Sequence, residues 1–292
     1  MILPCALVDA WVAEDAPYGD LTTRALDIGM IAARIRFAPR APAVVCCVEE
    51  VESLLQRNGA CVRRLRSSGE WAAAGEVILE AEGEAQALHL VWRTAQTLLE
   101  QAAGIATATR RIVEAARGAA PEIAVECTRK AVPGARAWST RAVLAGGGAM
   151  HRLGLSESIL VFAEHAALLG GWDGVYAKIP AIRQANPGKK ITAEAKTPGE
   201  ARALAEAGVD IVQVDKFSPS DVAALVEHAS RLSPAPLVVA TGGIDIGNAA
   251  AYAATGCAAL VTSAPYWARP IDVQVTIVPA TTATVPATTA TG

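Results

Sequence analysis

Aromatic residues are scarce in this chain, at 4% of 292 positions, and no long hydrophobic run makes up for them. No apolar stretch reaches the length of a bilayer-spanning helix, so no membrane insertion is expected. A basic segment followed by an apolar one is missing near Met1, so no secretory signal is expected and the chain reads as cytoplasmic. Charge of one sign is missing too. The 26 Lys and Arg residues face 29 Asp and Glu, a net charge of -3 that gives no support for nucleic-acid binding or a polybasic membrane surface. None of the six cysteines (Cys5, Cys46, Cys47, Cys61, Cys127 and Cys257) belongs to a Cys-x-x-Cys pair, and their spacing fits neither a zinc site nor a disulfide framework. They read as reduced, mostly buried thiols.

What the chain has in abundance is alanine and aliphatic residues, with 52% hydrophobic content, as a helix-rich α/β enzyme requires. Its length can bury a sizeable core in one large domain or two. The first hundred residues do not alternate strand and helix regularly. Helices are expected over Leu3–Ala13 and Glu49–Asn58, the second ended by Gly59. Strands are expected at Ala32–Phe37, Ala43–Val48, Val62–Leu65 and Val77–Ala81. This half reads as a mixed α+β layer. Glu84–Ala103 is a strong amphipathic helix that Gly104 should stop, with Leu88, Val91, Trp92, Ala95, Leu98, Leu99 and Ala102 on its apolar stripe. His89, Arg93 and Gln96 fall on the other side, where an arginine is ordinarily just solvated.

From Thr107 the pattern becomes regular. Apolar strands recur at Ile123–Glu126, Ser158–Phe162, Ile191–Ala195, Val209–Val214, Pro236–Ala240 and Ala258–Thr262, with helical stretches between most of them. Six continuous hydrophobic strands separated by helices imply parallel pairing and a closed or nearly closed α/β barrel. The tail after Pro279, rich in Ala and Thr, is low-complexity, is expected to be disordered, and is set apart from the fold.

The most informative stretch is Ile191 to Phe217, which reads as strand, helix, strand. Pro198 marks the first helical turn and Gly208 the end. Its two strands should be parallel neighbours, each delivering one carboxylate, Glu194 and Asp215, near a C-terminal strand end. Two acids so placed suit a hydrated divalent cation such as magnesium bound to substrate phosphates. The plainer alternative is that they cap helices or pair with Lys196 and Lys216.

Cations gather nearby in sequence. Thr128-Arg129-Lys130 follows the first barrel strand, and Gly146-Gly147-Gly148 leads to His151-Arg152. Any one of these would count as a solvated loop charge; the set of Arg129, Lys130, His151 and Arg152 points to a polyanion site. Thr241-Gly242-Gly243 ends the fifth strand and Thr262-Ser263-Ala264 the sixth. A lone Gly-Gly is usually only a turn, but loops after the last two barrel strands frequently bind phosphate.

These motifs in this order resemble the quinolinate phosphoribosyltransferase family. The likeness is carried by Thr128-Arg129-Lys130-x-x-Pro-Gly-x-Arg, Gly-Gly-Gly-x-x-His151-Arg152-x-Gly-Leu, Val-Asp215-x-Phe217-Ser-Pro and Thr-Gly-Gly-Ile, with an N-terminal Glu-Asp-x-x-x-Gly-Asp-x-Thr-Thr loop and the run Ala-Gly-Ile-Ala-Thr. Together they span roughly Leu7 to Val278. Within the family, Ile-Thr-Ala-Glu-Ala, Val-Asp-Lys-Phe-Ser-Pro and Thr-Ser-Ala-Pro-Tyr are similar to the ModD branch, which is encoded with molybdate-transport genes.

The resemblance implies an N-terminal α/β sandwich domain over 1–105, joined by 271–279, and an incomplete six-stranded barrel over 106–270, with the tail at 280–292. It implies a homodimer with shared active sites and transfer of a phosphoribosyl group from phosphoribosyl pyrophosphate to quinolinate or a related heterocyclic acid, with magnesium. Arg129, Lys130 and Arg152 would hold the anionic groups of the substrate, with Thr128 and His151 beside them. Arg93 would reach the neighbouring subunit's site. Glu194 and Asp215 would manage the ribose hydroxyls and the metal, and Thr241, Gly242, Gly243, Ser263 and Ala264 would cradle the 5′-phosphate. The family's Lys-Asp-Asn-His appears here as Phe162-Ala163-Glu164-His165, so the acceptor side has lost a lysine to Phe162, keeps His165, and gains a negative charge at Glu164. Cys127 and Ser263 replace a family aspartate and glycine. Two rivals remain: a non-catalytic protein that binds or senses a phosphoribosyl ligand in molybdate uptake, and an unrelated phosphate-binding barrel enzyme.

Overall fold

Strand alternation organises the first unit. In β1 (Ala32–Pro39) the side chains of Ala33, Ile35 and Phe37 are buried on one face, while Arg34 and Arg36 point the other way. Those arginines meet Glu82 and Glu80 directly across the antiparallel pair with β5 (Leu79–Glu84), in register. The sheet order is β13-β1-β5-β3, with β3 at Cys61–Arg64 and β13 at Val273–Pro279, every pair antiparallel. A two-stranded ribbon of β2 (Ala43–Val44) and β4 (Trp71–Ala72) and helices α1 (Cys5–Asp15), α2 (Leu21–Ala25) and α3 (Val48–Arg57) complete it. The strand expected over Ala43–Val48 is cut short because the helix α3 begins at Val48.

The computed structural model describes residues 3–280 and divides them into two compact units, one running to Gln101 and resuming at Ile271, the other Ala102–Pro270. Apart from Ala280, the tail set apart above lies outside the described residues. Among the described residues no helix is long and apolar enough to cross a membrane.

Gly104 does not stop its helix. The helix α4 runs unbroken over Ala85–Ala119. A mid-helix glycine costs about 1 kcal/mol relative to alanine, and packing explains its presence: a β carbon there would come within 2.6 Å of the Arg269 carbonyl oxygen. Gly146 is likewise a packing device, since a β carbon would lie 2.5 Å from Cβ of Thr109 on α4.

The second unit is an open parallel sheet in the order β7-β6-β12-β11-β10-β9-β8, every pair parallel. Its strands are β6 (Ala124–Cys127), β7 (Ala149–Met150), β8 (Ile159–Val161), β9 (Ile191–Ala195), β10 (Ile211–Asp215), β11 (Leu237–Thr241) and β12 (Ala259–Thr262). The incomplete barrel therefore has seven strands where six were read. The addition, β7, is two residues long and follows a glycine run, too short to leave a hydrophobic signal. Between strands lie α5 (Arg136–Ala145), α6 (Ala163–Ala167), α7 (Trp172–Ala185), α8 (Pro198–Glu206), α9 (Pro219–Ala229) and α10 (Ala249–Ala253), with a 3-10 turn at Ala264–Trp267. Thr197 and Ser218 cap α8 and α9, each accepting from a backbone N–H with proline at the first turn. Ile112, Ile191, Leu204, Val212, Leu225 and Leu260 belong to the main core of the unit. A smaller cluster, Val239, Ala259 and Val261 with Ala124 and Ile211, packs separately.

Candidate active site

The C-terminal ends of β6 and β8 to β12 and the loops beyond them open into a single cavity of ≈ 670 Å³. It is lined by Thr128, Arg129, Lys130, His151, Arg152, Phe162, Glu194, Asp215, Thr241, Gly242, Gly243, Ser263 and Ala264. Every candidate taken from the sequence is thus brought there except two. His165 sits on α6, where its Nδ1 accepts from the Phe162 N–H at 3.0 Å and its ring stacks on Phe162. Arg93 belongs to the first unit, is exposed, lies 4.0 Å over the Trp92 ring and donates to Gln96 at 2.7 Å.

Glu164 requires a correction. Rather than facing the cavity it starts α6 with its side chain 76% exposed, 3.6 Å from the Lys196 ammonium. Of Phe162, Ala163 and Glu164, only Phe162 lines the cavity, and Ser263 is the altered residue that lines it at the phosphate turns. Cys127 is also off the site: it is fully buried, and burial pushes its thiol up to about 12. Its effect there is packing, not chemistry.

Pairing of β9 with β10 sets Glu194 opposite Gln213 in register, and Gln213 Nε2 donates to Glu194 Oε2 at 2.6 Å. Gln213 is 4% exposed and lines the cavity, and its Oε1 has no hydrogen-bond partner among the described residues. Sequence reading passed over it as one more residue of an apolar strand. Burial raises the Glu194 carboxyl above its usual range, partly offset by this hydrogen bond, and the Asp215 charge raises it further. Asp215 closes the end of β10, and a β carbon on Gly242 would fall 2.2 Å from its Oδ1. With φ of 88°, Gly242 is doubly required. Lys196 meets Glu164 and Lys216 meets neither acid at ion-pair distance, so the alternative in which Glu194 and Asp215 serve as partners of these lysines does not hold.

On the other side the cations stand unneutralised. Arg129, Lys130 and Arg152 have no carboxylate within ion-pair distance among the described residues. Arg152 is 8% exposed, and burial together with the Arg129 charge lowers its proton affinity, yet a guanidinium stays charged. Burial and Arg152 lower His151, which keeps the imidazole neutral at pH 7. The backbone is firmly tied: His151 N–H donates to Cys127 O, Thr128 N–H to Thr262 O at 2.9 Å, and the Tyr266 hydroxyl to Thr128 O at 2.7 Å. Beyond β11 and β12, Thr262 Oγ1 donates to Ile244 O and accepts from the Ala264 N–H, which locks the two turns together. The N–H groups of Gly242 and Gly243 have no protein acceptor among the described residues. Lys216, Asp245 and Trp267 line the cavity as well and were not singled out from the sequence.

A site with carboxylates, free cations and open glycine turns around one cavity can hold a phosphorylated sugar beside an acidic partner. Comparison with known proteins gives the family. The model of the quinolinate phosphoribosyl transferase C-terminal domain matches residues 105–276, and that of the N-terminal domain residues 20–103. A protein from Rhodobacter capsulatus named as a ModD pyrophosphorylase is 43% identical over 82% of this chain and 92% of its own length. One from Methanothermobacter thermautotrophicus, named as a carboxylating nicotinate-nucleotide pyrophosphorylase, is 30% identical over 93% of this chain and 98% of its own. Among solved structures, the nicotinate-nucleotide pyrophosphorylase of Ehrlichia chaffeensis shares the fold with a TM-score of 0.87 at 21% identity, covering 95% of this chain and 99% of that one. The chain belongs to the quinolinate phosphoribosyl transferase family, whose members are pentosyl-transferring enzymes.

Proposed function

We propose that this protein transfers the phosphoribosyl group of phosphoribosyl pyrophosphate to a heterocyclic acid and releases pyrophosphate. One observation carries the reading: Glu194 and Asp215, the unneutralised Arg129, Lys130 and Arg152, and the open turns at Gly242–Gly243 and Ser263–Ala264 all line one cavity. Glu194 and Asp215 orient the ribose hydroxyls, the turns hold the 5′-phosphate, and the arginines hold the acid. In the reaction the bond from the anomeric carbon to pyrophosphate breaks with its electron pair leaving on oxygen, and a ring nitrogen of the acceptor forms the new bond. With quinolinate as acceptor, the bond from the pyridinium ring carbon to the adjacent carboxylate then breaks, carbon dioxide leaves, the electron pair stays on that ring carbon, and the carbon takes a proton from water. Lys130 faces the developing negative charge, and catalysis comes from positioning and electrostatics. No side chain acts as a strong base.

No group of three or more His, Cys, Asp or Glu residues fit to hold a metal occurs among the described residues. Two carboxylates on one cavity fit magnesium that completes its shell with water and substrate phosphates. Glu194 and Asp215 would hold it, and when bound it supplies positive charge to the leaving pyrophosphate. The protein acts as a homodimer in which the exposed Arg93 completes the partner's site. Likeness to proteins named ModD supports a link to molybdate uptake.

A panel of pyridine and other heterocyclic acids tests the reading, with pyrophosphate release from phosphoribosyl pyrophosphate and magnesium as the readout. Release with at least one acid is expected. Phe162, an apolar side chain on the acceptor wall, favours a second reading in which the ligand is bound without turnover. Magnesium-dependent binding with no release on any acid would establish that one instead.

A further inference from the structure

Among the described residues that line the cavity, Lys216 is the one non-glycine held in the left-handed backbone region, with φ of 60°. A side chain with a β carbon enters that region at a cost on the order of 1 kcal/mol, and glycine and asparagine enter it most readily. The conformation is fastened from below, because the Lys216 N–H donates to Thr241 O at 2.8 Å where β10 and β11 pair. A β carbon on Gly242 would come within 2.6 Å of Lys216 Cγ, so the aliphatic stem of the lysine lies against the glycine turn. Its ammonium has neither a hydrogen-bond acceptor nor a carboxylate at ion-pair distance among the described residues. A solvated lysine needs no such backbone.

Charge balance gives the position a use. Arg129, Lys130 and Arg152 all come from the β6–β7 side, and the wall formed by the ends of β10 to β12 carries two cavity-lining acids, Asp215 and Asp245. Among the described residues, Lys216 is the only lysine or arginine lining that wall. The helix after the glycine turn, α10, has five residues, too few for a helix dipole to offset a phosphate dianion. Backbone N–H groups alone would face a dianion beside two carboxylates.

We propose that Lys216 is a binding residue for the 5′-phosphate of the phosphoribosyl donor, its ammonium neutralising the anion cradled by the N–H groups of Gly242 and Gly243. This rests on the donor reading above and adds a cation to the phosphate end of the cavity. The strained turn aims the side chain over the glycines, consistent with backbone strain being kept where geometry serves a ligand.

Calorimetric titration of the full chain with ribose 5-phosphate, and separately with magnesium pyrophosphate, tests it. Lys216→Met should weaken ribose 5-phosphate about tenfold or more and leave magnesium pyrophosphate within about twofold. Lys216→Arg should recover most of the loss. Lys216→Asn should weaken ribose 5-phosphate as much as Lys216→Met does while raising the midpoint of thermal unfolding, since asparagine enters the left-handed region more easily. Wild-type protein that binds both ligands, with Lys216→Met unchanged or losing only pyrophosphate, overturns this proposal and leaves the donor reading standing. Wild-type protein that binds neither overturns the donor reading, and this one with it.

Discussion

The two walls of the cavity are built in different ways. At the ends of β10 to β12 the site is made of backbone: glycine turns with open N–H groups, a carboxylate wedged against Gly242, and threonine hydroxyls locking one turn to the next. At the ends of β6 to β8 it is made of long cationic side chains with no carboxylate at ion-pair distance among the described residues, and of Phe162. A wall of backbone is fixed by strand register and tolerates little change. A wall of side chains can be re-specified one residue at a time. The first suits a donor whose phosphate and ribose do not vary, the second an acceptor that can.

The sharpest way to break this contrast is Gly242→Ala. The new methyl group would meet Asp215 Oδ1 at 2.2 Å, with a φ of 88° that alanine resists. Strain of this kind costs about 1–3 kcal/mol. Thermal unfolding should show that loss, and pyrophosphate release should fall by about a hundredfold or more as Asp215 is displaced. Retention of both would mean that the backbone wall is not rigid.

Next in size is Asp215→Asn, which keeps shape and removes charge. Loss of a charge-assisted contact is worth about 1–3 kcal/mol, or roughly 5- to 150-fold in affinity. Titration with phosphoribosyl pyrophosphate should show this loss with magnesium present and a much smaller one without it. Equal losses in both conditions would remove Asp215 from the metal.

Phe162→Lys changes the acceptor wall. A restored cation should raise turnover with quinolinate, a dianion, by about tenfold, a gain of one ion-pair contact. Since Glu164 lies outside the cavity and pairs with Lys196, Glu164→Asn alone should change quinolinate kinetics little, and the double variant should match Phe162→Lys. Steady-state kinetics on the three proteins decides this, and an effect from Glu164→Asn by itself would return that carboxylate to the site.

The backbone wall was the more legible of the two in sequence. Pro198, Gly208 and the spacing of Glu194 and Asp215 placed two parallel strands side by side, and the structure pairs β9 with β10. Glycine carries such information because few positions demand it. Side-chain direction does not leave that trace: Glu164 and Phe162 are two residues apart, yet β8 ends just before Phe162 and α6 begins just after it, and only Phe162 lines the cavity. Gln213 was hidden in a hydrophobic strand, and Lys216 looked like any lysine after an aspartate until its φ was known. Gly104 misled for a related reason: a glycine required by tertiary contact looks the same in sequence as one that ends a helix.

The smallest effect concerns a residue under the acceptor wall. Glu126 stands on β6 two residues before Thr128, in register with the cavity-lining Val261, and burial alone pushes its carboxyl up to about 7. Its folded value lies above its ordinary 4.5, so the folded protein holds a proton that the unfolded chain releases. Stability from this group is therefore full below about pH 4.5, falls as pH rises through the window up to about 7, and is level beyond it. Discounted for partial exposure, the loss across that window is about 1–2 kcal/mol. Glu126→Gln, neutral throughout, should remove this slope from urea midpoints measured between pH 5 and 8 (about the width of the window) and should be the more stable protein at the upper end. The same ionisation adds a negative charge on β6, three residues before Arg129 in the chain. Affinity for an acidic acceptor should then decline modestly through pH 7 in the wild type and hold steadier in Glu126→Gln. Parallel slopes in the two proteins would show that Glu126 is solvated enough to titrate as an ordinary carboxylate, leaving the acceptor wall's field to its cations alone.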